Sequence, residues 1–98
     1  MIEYEVTIQI ETDVLDQYLK WLKEHINEML KVKGISDAKI FNVEVLEQKV
    51  ICIRYLFDSK VSLDNYLLNI APSMRSKVSE NLKGKYKISR RVLIEGDI

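Results

Sequence analysis

Trp21 and His25 stand four residues apart in a stretch whose apolar residues recur every three and four positions. On a helix they are neighbours on one face. An imidazole there could accept a proton near neutral pH, with the indole lining a pocket beside it. The plainer reading is an amphipathic pair at the edge of a core. A single His with no Cys and no obvious carboxylate partner favours that reading. Glu3 and Glu5 share one face of an N-terminal strand, and Arg54 and Arg91 can meet them from neighbouring strands. Two arginines could bind an anion. Matched acids favour instead a cross-strand ladder of ion pairs, each contributing roughly 0.2–1 kcal/mol. Buried between chains, such a ladder would fix register more than stability. Arg90 points to the opposite face. Cys52, between Ile51 and Ile53, reads as a small buried hydrophobe; Arg54 two residues on is the one hint of an activated thiol. Arg75 falls just after Pro72. In the first turn of a helix it would oppose the dipole, so it either reaches an anion or is solvated.

Much chemistry is excluded. One His and one Cys cannot complete a tetrahedral metal site, and no carboxylates follow EF-hand spacing, so neither metal nor cofactor is expected. Gly34, Gly84 and Gly96 stand alone, which leaves no phosphate-cradling loop, and no G-x-S-x-G elbow occurs. Fifteen basic residues balance fifteen acidic ones, which argues against a nucleic-acid module. The basic cluster Lys83, Lys85, Lys87, Arg90 and Arg91 is interleaved with strand apolars. The longest apolar run, Val50 to Ile53, is far short of the ~18 residues that span a bilayer. No membrane association is expected. The N-terminus carries Glu3, Glu5 and Glu11 and does not read as a signal peptide. A lone cysteine suits a reducing cytoplasm.

The elements that must hold these residues follow from periodicity. Ninety-eight residues make one domain, 1–98, by the usual size of about 100–200 residues per domain. Ile2, Tyr4, Val6, Ile8 and Ile10 alternate with polar residues, predicting a strand over 2–11. Thr12-Asp13 offers an N-cap. Leu15, Tyr18, Leu19, Leu22, Ile26, Met29 and Leu30 then form a helical stripe over 13–33, closed by Gly34. Strands follow over 36–46 and 49–57, joined by the short turn Glu47-Gln48-Lys49 as a hairpin. A second helix spans 60–83, capped by Ser59 or Ser62. It breaks at Ala71-Pro72 and restarts with Pro72 in its first turn. Its stripe continues through Met74, Val78 and Leu82 to Gly84. The last strand covers 85–94. The order βαββαβ predicts an α+β, ferredoxin-like fold. Its four-stranded antiparallel sheet takes the order 4-1-3-2 with both helices on one face.

That leaves one face bare. The first strand presents Glu3, Glu5, Thr7 and Gln9 there, but the third strand is apolar on both faces apart from Arg54. Cover on both sides would come from a second chain, so a homodimer is expected through Glu3, Glu5, Cys52, Arg54, Leu56 and Arg91.

A resemblance accompanies these residues. Tyr4-Glu5-Val6, Tyr18-Leu19-x-Trp21-Leu22-x-x-His25, Glu28-Met29-Leu30, Arg54-Tyr55, Leu63-x-x-Tyr66-Leu67, Ala71-Pro72-x-Met74-Arg75 and Ser89-Arg90-Arg91 resemble an uncharacterised bacterial family, a domain of unknown function. That family looks like a member of the dimeric α+β barrel group, which also holds the antibiotic-biosynthesis monooxygenases. The resemblance implies a fold and a dimer but no activity. Haem degraders of the group use an Asn on the first strand with a Trp and a His around the pocket. Here the first strand offers Gln9, and Trp21 and His25 share one helix, a departure that speaks against haem chemistry. Two functions remain. One is a non-catalytic homodimeric module binding a small ligand or partner. The other is a cofactor-independent, monooxygenase-like enzyme with a helix–sheet pocket around Tyr4, Trp21, His25, Tyr66 and Arg90.

Overall fold

In the computed structural model, residues 2–78 and 80–96 are described. Alternation makes β1 over Ile2–Ile10, β2 over Ile35–Val43, β3 over Lys49–Phe57 and β4 over Tyr86–Ile94. All pairs are antiparallel, in the order β2-β3-β1-β4. Read from the other edge this is the expected 4-1-3-2. The inward face carries Tyr4, Ile8, Ile51, Ile53, Tyr55 and Phe57. Against it lie Tyr18, Leu22, Ile26 and Met29 of α1 (Leu15–Met29), spaced four, four and three. Leu19 and Leu30, expected in that stripe, are exposed.

Several boundaries differ from the sequence reading. Thr12–Val14 is a 3₁₀ turn whose N-cap is Glu11, so neither Thr12 nor Asp13 caps α1 through its side chain. The helix ends at Met29, four residues early. Bonds from Lys31 N to Glu28 O and from Val32 N to Met29 O tighten its exit. Gly34 is therefore no helix cap. Its φ of 97° and its backbone packing against Ser62 are what require glycine: an added Cβ would sit 2.4 Å from the Ser62 Cβ. β2 stops at Val43, so Val45 and Leu46 belong to a longer hairpin loop, turned at Glu47 with φ 59°. An irregularity between Ile35 and Asp37 lets that strand change register.

The second helical segment differs most. Ser59 caps α2 (Lys60–Asn65) by accepting from the Ser62 N–H at 3.1 Å. Instead of breaking at Pro72, the chain runs through a π-helical turn, Tyr66–Ile70, into α3, Ala71–Arg75. Pro72 has no N–H to donate and its ring would collide with a carbonyl one turn back. The wider turn, with Ala71 N bonding to Tyr66 O, accommodates it. No restarted helix runs to Gly84: Val78 lies in a turn and Leu82 in the 3₁₀ turn Glu80–Leu82. Arg75 consequently sits in the last turn of α3, where a cation suits the dipole, contrary to the first-turn placement read from sequence.

The molecule measures 39 × 32 × 18 Å. Its thinnest dimension holds one helix layer and one sheet, and the outer face of the sheet is uncovered.

Candidate functional site

A cavity of about 70 Å³ lies between α1, the π-helical turn and the inward face of β1, β3 and β4. All five tyrosines of the chain line it: Tyr4, Tyr18, Tyr55, Tyr66 and Tyr86. So do Trp21, His25, Arg75 and Arg90. Local structure explains the convergence. Tyr4 and Tyr55 are partners across β1 and β3, with rings 6.4 Å apart. Tyr66 opens the π-helical turn and meets Tyr4 edge-on at 5.8 Å. On the other side Tyr18 lies 5.0 Å from Tyr86 and 5.6 Å from Trp21. Trp21 stacks on His25 at 4.8 Å with planes 11° apart. Two aromatic strings thus flank one space. Ile8, Leu22 and Ile53 provide its apolar wall.

Electrostatics favour neutral side chains inside and cations at the rim. Burial raises the phenol pKa values of Tyr18 and Tyr55 well above normal and pushes that of Tyr66 up to about 12. These phenols stay protonated and can donate. Burial also lowers the pKa of His25, chiefly against the opposing pull of Glu28 and aided by Lys77 and Arg90. Its imidazole is neutral at neutral pH, able to accept a proton. Arg75 donates to the Tyr4 hydroxyl at 3.3 Å. Among the described residues no Asp or Glu lines the cavity, and no three of His, Cys, Asp and Glu gather to hold a metal ion.

The bare face carries the second group. Glu5 is 4% exposed. It accepts from Arg54 Nε at 2.9 Å and from Arg91 Nε at 2.5 Å, its register partners on β3 and β4. The Arg91 hydrogen bond, with that of Arg54, holds its carboxyl below the usual range against the raising effect of burial. Glu3 lies 3.9 Å from Arg54. The Arg54 guanidinium also stands 5.6 Å over the ring of Phe41. Cys52 is buried on this face and forms no disulfide.

The structure therefore brings Tyr4, Trp21, His25, Tyr66 and Arg90 to one cavity. By register it places Glu3, Glu5, Cys52, Arg54, Leu56 and Arg91 together on the opposite face. Sequence reasoning missed Tyr18, Tyr55 and Tyr86 as lining residues. Each sits at a core-facing position of its element, where it reads as packing. The available signal was their number: five phenols turned inward need polar space.

The model of DUF4286, a domain of unknown function, matches residues 1–95. The chain belongs to the DUF4286 family. No curated protein matches it in sequence. Solved structures similar to this DUF4286 domain share its fold. A dimeric ferredoxin-like protein from an uncultured marine organism superposes with a TM-score of 0.70 at 17% identity, covering 100% of this chain and 98% of that one. An antibiotic biosynthesis monooxygenase gives 0.70 at 10% identity, covering 100% and 99%. The haem degrader MhuD of Mycobacterium tuberculosis gives 0.72 at 8% identity, again covering 100% and 99%. The architecture is thus the ferredoxin-like α+β fold that these solved structures share. Among the described residues no helix is long and apolar enough to cross a membrane.

Proposed function

We propose that this domain is a homodimeric binding module without catalysis of its own, which takes a small molecule into the tyrosine-lined cavity. One observation carries this reading: five tyrosines, Trp21, His25 and two arginines converge on a single space with no acid among its described lining residues. A core built only for stability would use aliphatic side chains there, since each inward phenol adds a polar group to satisfy. The volume, about 70 Å³, is well below the ~300–1,000 Å³ of drug-sized sites. The ligand is small, or only one end of it enters.

The dimer is supported by area. The chain exposes 6789 Å², whereas a compact monomer of its mass exposes about 5,800 Å². The surplus, roughly 1,000 Å², is close to the ~800 Å² each partner buries in a standard interface. It matches a two-layer molecule with one sheet face open, and pairing through that face leaves the cavity accessible on the other side. The name of the marine ferredoxin-like relative, a dimer, points the same way. The buried Cys52, which forms no disulfide, suits the cytoplasm.

A second reading is favoured by His25 alone. A neutral imidazole stacked on Trp21 at the cavity wall could take a proton from a bound substrate, as a cofactor-independent monooxygenase-like enzyme would need. A panel of small carboxylic acids, amides and phenols, titrated against the fluorescence of Trp21, the one tryptophan, tests the binding reading. Saturable quenching that is lost in Val6→Phe, which fills the cavity, supports it. A flat response across the panel overturns it. Oxygen consumption with a bound phenol, abolished in His25→Gln, would replace it by the enzymatic reading.

A further inference from the structure

Resting on the cavity being a ligand site, we propose that its ligand is a short carboxylate whose charged end is held between Arg75 and Arg90. The four arginines of the chain divide by face. Arg54 and Arg91 share Glu5 on the bare side of the sheet. Arg75 and Arg90 lie on the helix side, line the cavity, and among the described residues pair with no carboxylate. Two guanidinium groups without an acid partner at the edge of an aromatic cavity are free to take an anion there.

Both arginines line the one cavity. Arg75 is fixed by its bond to the Tyr4 hydroxyl at 3.3 Å, and Tyr4 meets Tyr66 at 5.8 Å. Arg90 stands opposite Val6 on β4, one residue before Arg91 turns to the other face. Both arginine charges act on the Tyr66 hydroxyl, and that of Arg90 also on Tyr18 and His25. An anion in this cavity has two guanidinium groups and the Tyr66 phenol among its lining residues to pair with, donors that suit a planar carboxylate. The inner wall of Ile8, Leu22 and Ile53 offers nothing polar, so the ligand has one charged end and an uncharged body. Inorganic phosphate, charged all round, fits this division poorly. The volume, about half of the ~150 Å³ that holds a benzene, limits the enclosed body to a few carbons.

Matched pairs test this: propionate against propionamide, with inorganic phosphate as a third probe, each titrated while following the Trp21 indole N–H resonance. The expected result is saturable binding of propionate, at least about tenfold tighter than propionamide, the ratio given by 1.4 kcal/mol. Arg90→Gln, at an exposed position and expected to melt like the parent, and Arg75→Gln, which also loses its bond to the Tyr4 hydroxyl and is compared at a temperature well below its own melting, should each weaken propionate about tenfold and leave propionamide unchanged. Lys20→Gln, which removes the same charge from the outer side of α1, should change neither. Equal binding of acid and amide overturns the carboxylate while leaving the cavity as a binding site. Phosphate binding as tightly as propionate also overturns it. If no probe binds but a neutral member of the wider panel does, the proposal fails alone; if nothing binds, the reading beneath it fails as well.

Discussion

Glu5→Gln tests the logic of the bare face in one atom. The side chain keeps its shape and loses its charge. Glu5 is 4% exposed and accepts one guanidinium bond on each oxygen. Hydrogen bonds to a charged group contribute about 1.5–3 kcal/mol each, against roughly 1 for a neutral acceptor. The amide can keep one bond through its oxygen, but its NH₂ group faces the other arginine donor. Arg54 and Arg91 are 42% and 66% exposed, so water recovers part of what they lose. The net expectation is about 1–3 kcal/mol. At about 4–8 °C per kcal/mol for a chain of this size, melting should fall by roughly 10 °C at matched protein concentration. Glu3→Gln, whose contact with Arg54 is 3.9 Å, should shift melting hardly at all. The sign with pH is also fixed. Glu5 has a folded pKa below its unfolded 4.5, so its contribution is present above that value and lost as pH falls through the lowered one. The gap between parent and variant must therefore close in acid. A Glu5→Gln protein melting with its parent at pH 7, or a gap that persists unchanged in acid, would refute the reasoning.

Further outcomes follow from the same contacts. His25, with a folded pKa below its unfolded 6.5 and with Glu28, Lys77 and Arg90 around it, contributes stability that is complete above pH 6.5. That contribution declines as pH falls through the lowered value; His25→Gln should flatten this part of a melting-versus-pH curve, and parallel curves would contradict it. Tyr66, raised from 10.0 to about 12, should add a loss of stability as pH rises through that interval, which Tyr66→Phe reduces in an alkaline absorbance and melting titration. Gly34→Ala should cost about 2–4 kcal/mol, from the positive φ together with the collision at Ser62. Gly84→Ala, with φ 80° and open space around it, should cost only about 1–2 kcal/mol; equal chemical-denaturation midpoints for the two would show that the Ser62 contact is not limiting.

The strands and the face each side chain occupies were legible because period two is unambiguous: Tyr4, Tyr55 and Arg90 face inward, and Glu5, Arg54 and Arg91 outward, as their alternation dictates. Helix ends were not. Lys31 and Val32 continue an apolar and basic pattern past Met29, but their backbone N–H groups bond three residues back, to Glu28 and Met29, and the helix tightens and ends. Pro72 signals only that something must yield; that the chain widens into a π-helical turn, with Tyr66 and Met74 both buried, and does not break is seen only in the fold. The cavity was half legible. Trp21 and His25 announce themselves as unusual residue types, whereas Tyr18, Tyr55 and Tyr86 hide within the core pattern and reveal their shared space only when three elements are brought together.

The proposed molecule has two working faces, one to meet a second copy and one to receive a ligand. Light scattering coupled to size exclusion, at tens of micromolar protein, tests the first face without any ligand. Twice the chain mass is predicted for the parent. A return to the single-chain mass is predicted for Phe41→Glu, which places a carboxylate on the open sheet face where Phe41 is 43% exposed. A parent that elutes with the mass of one chain across that range would contradict the account.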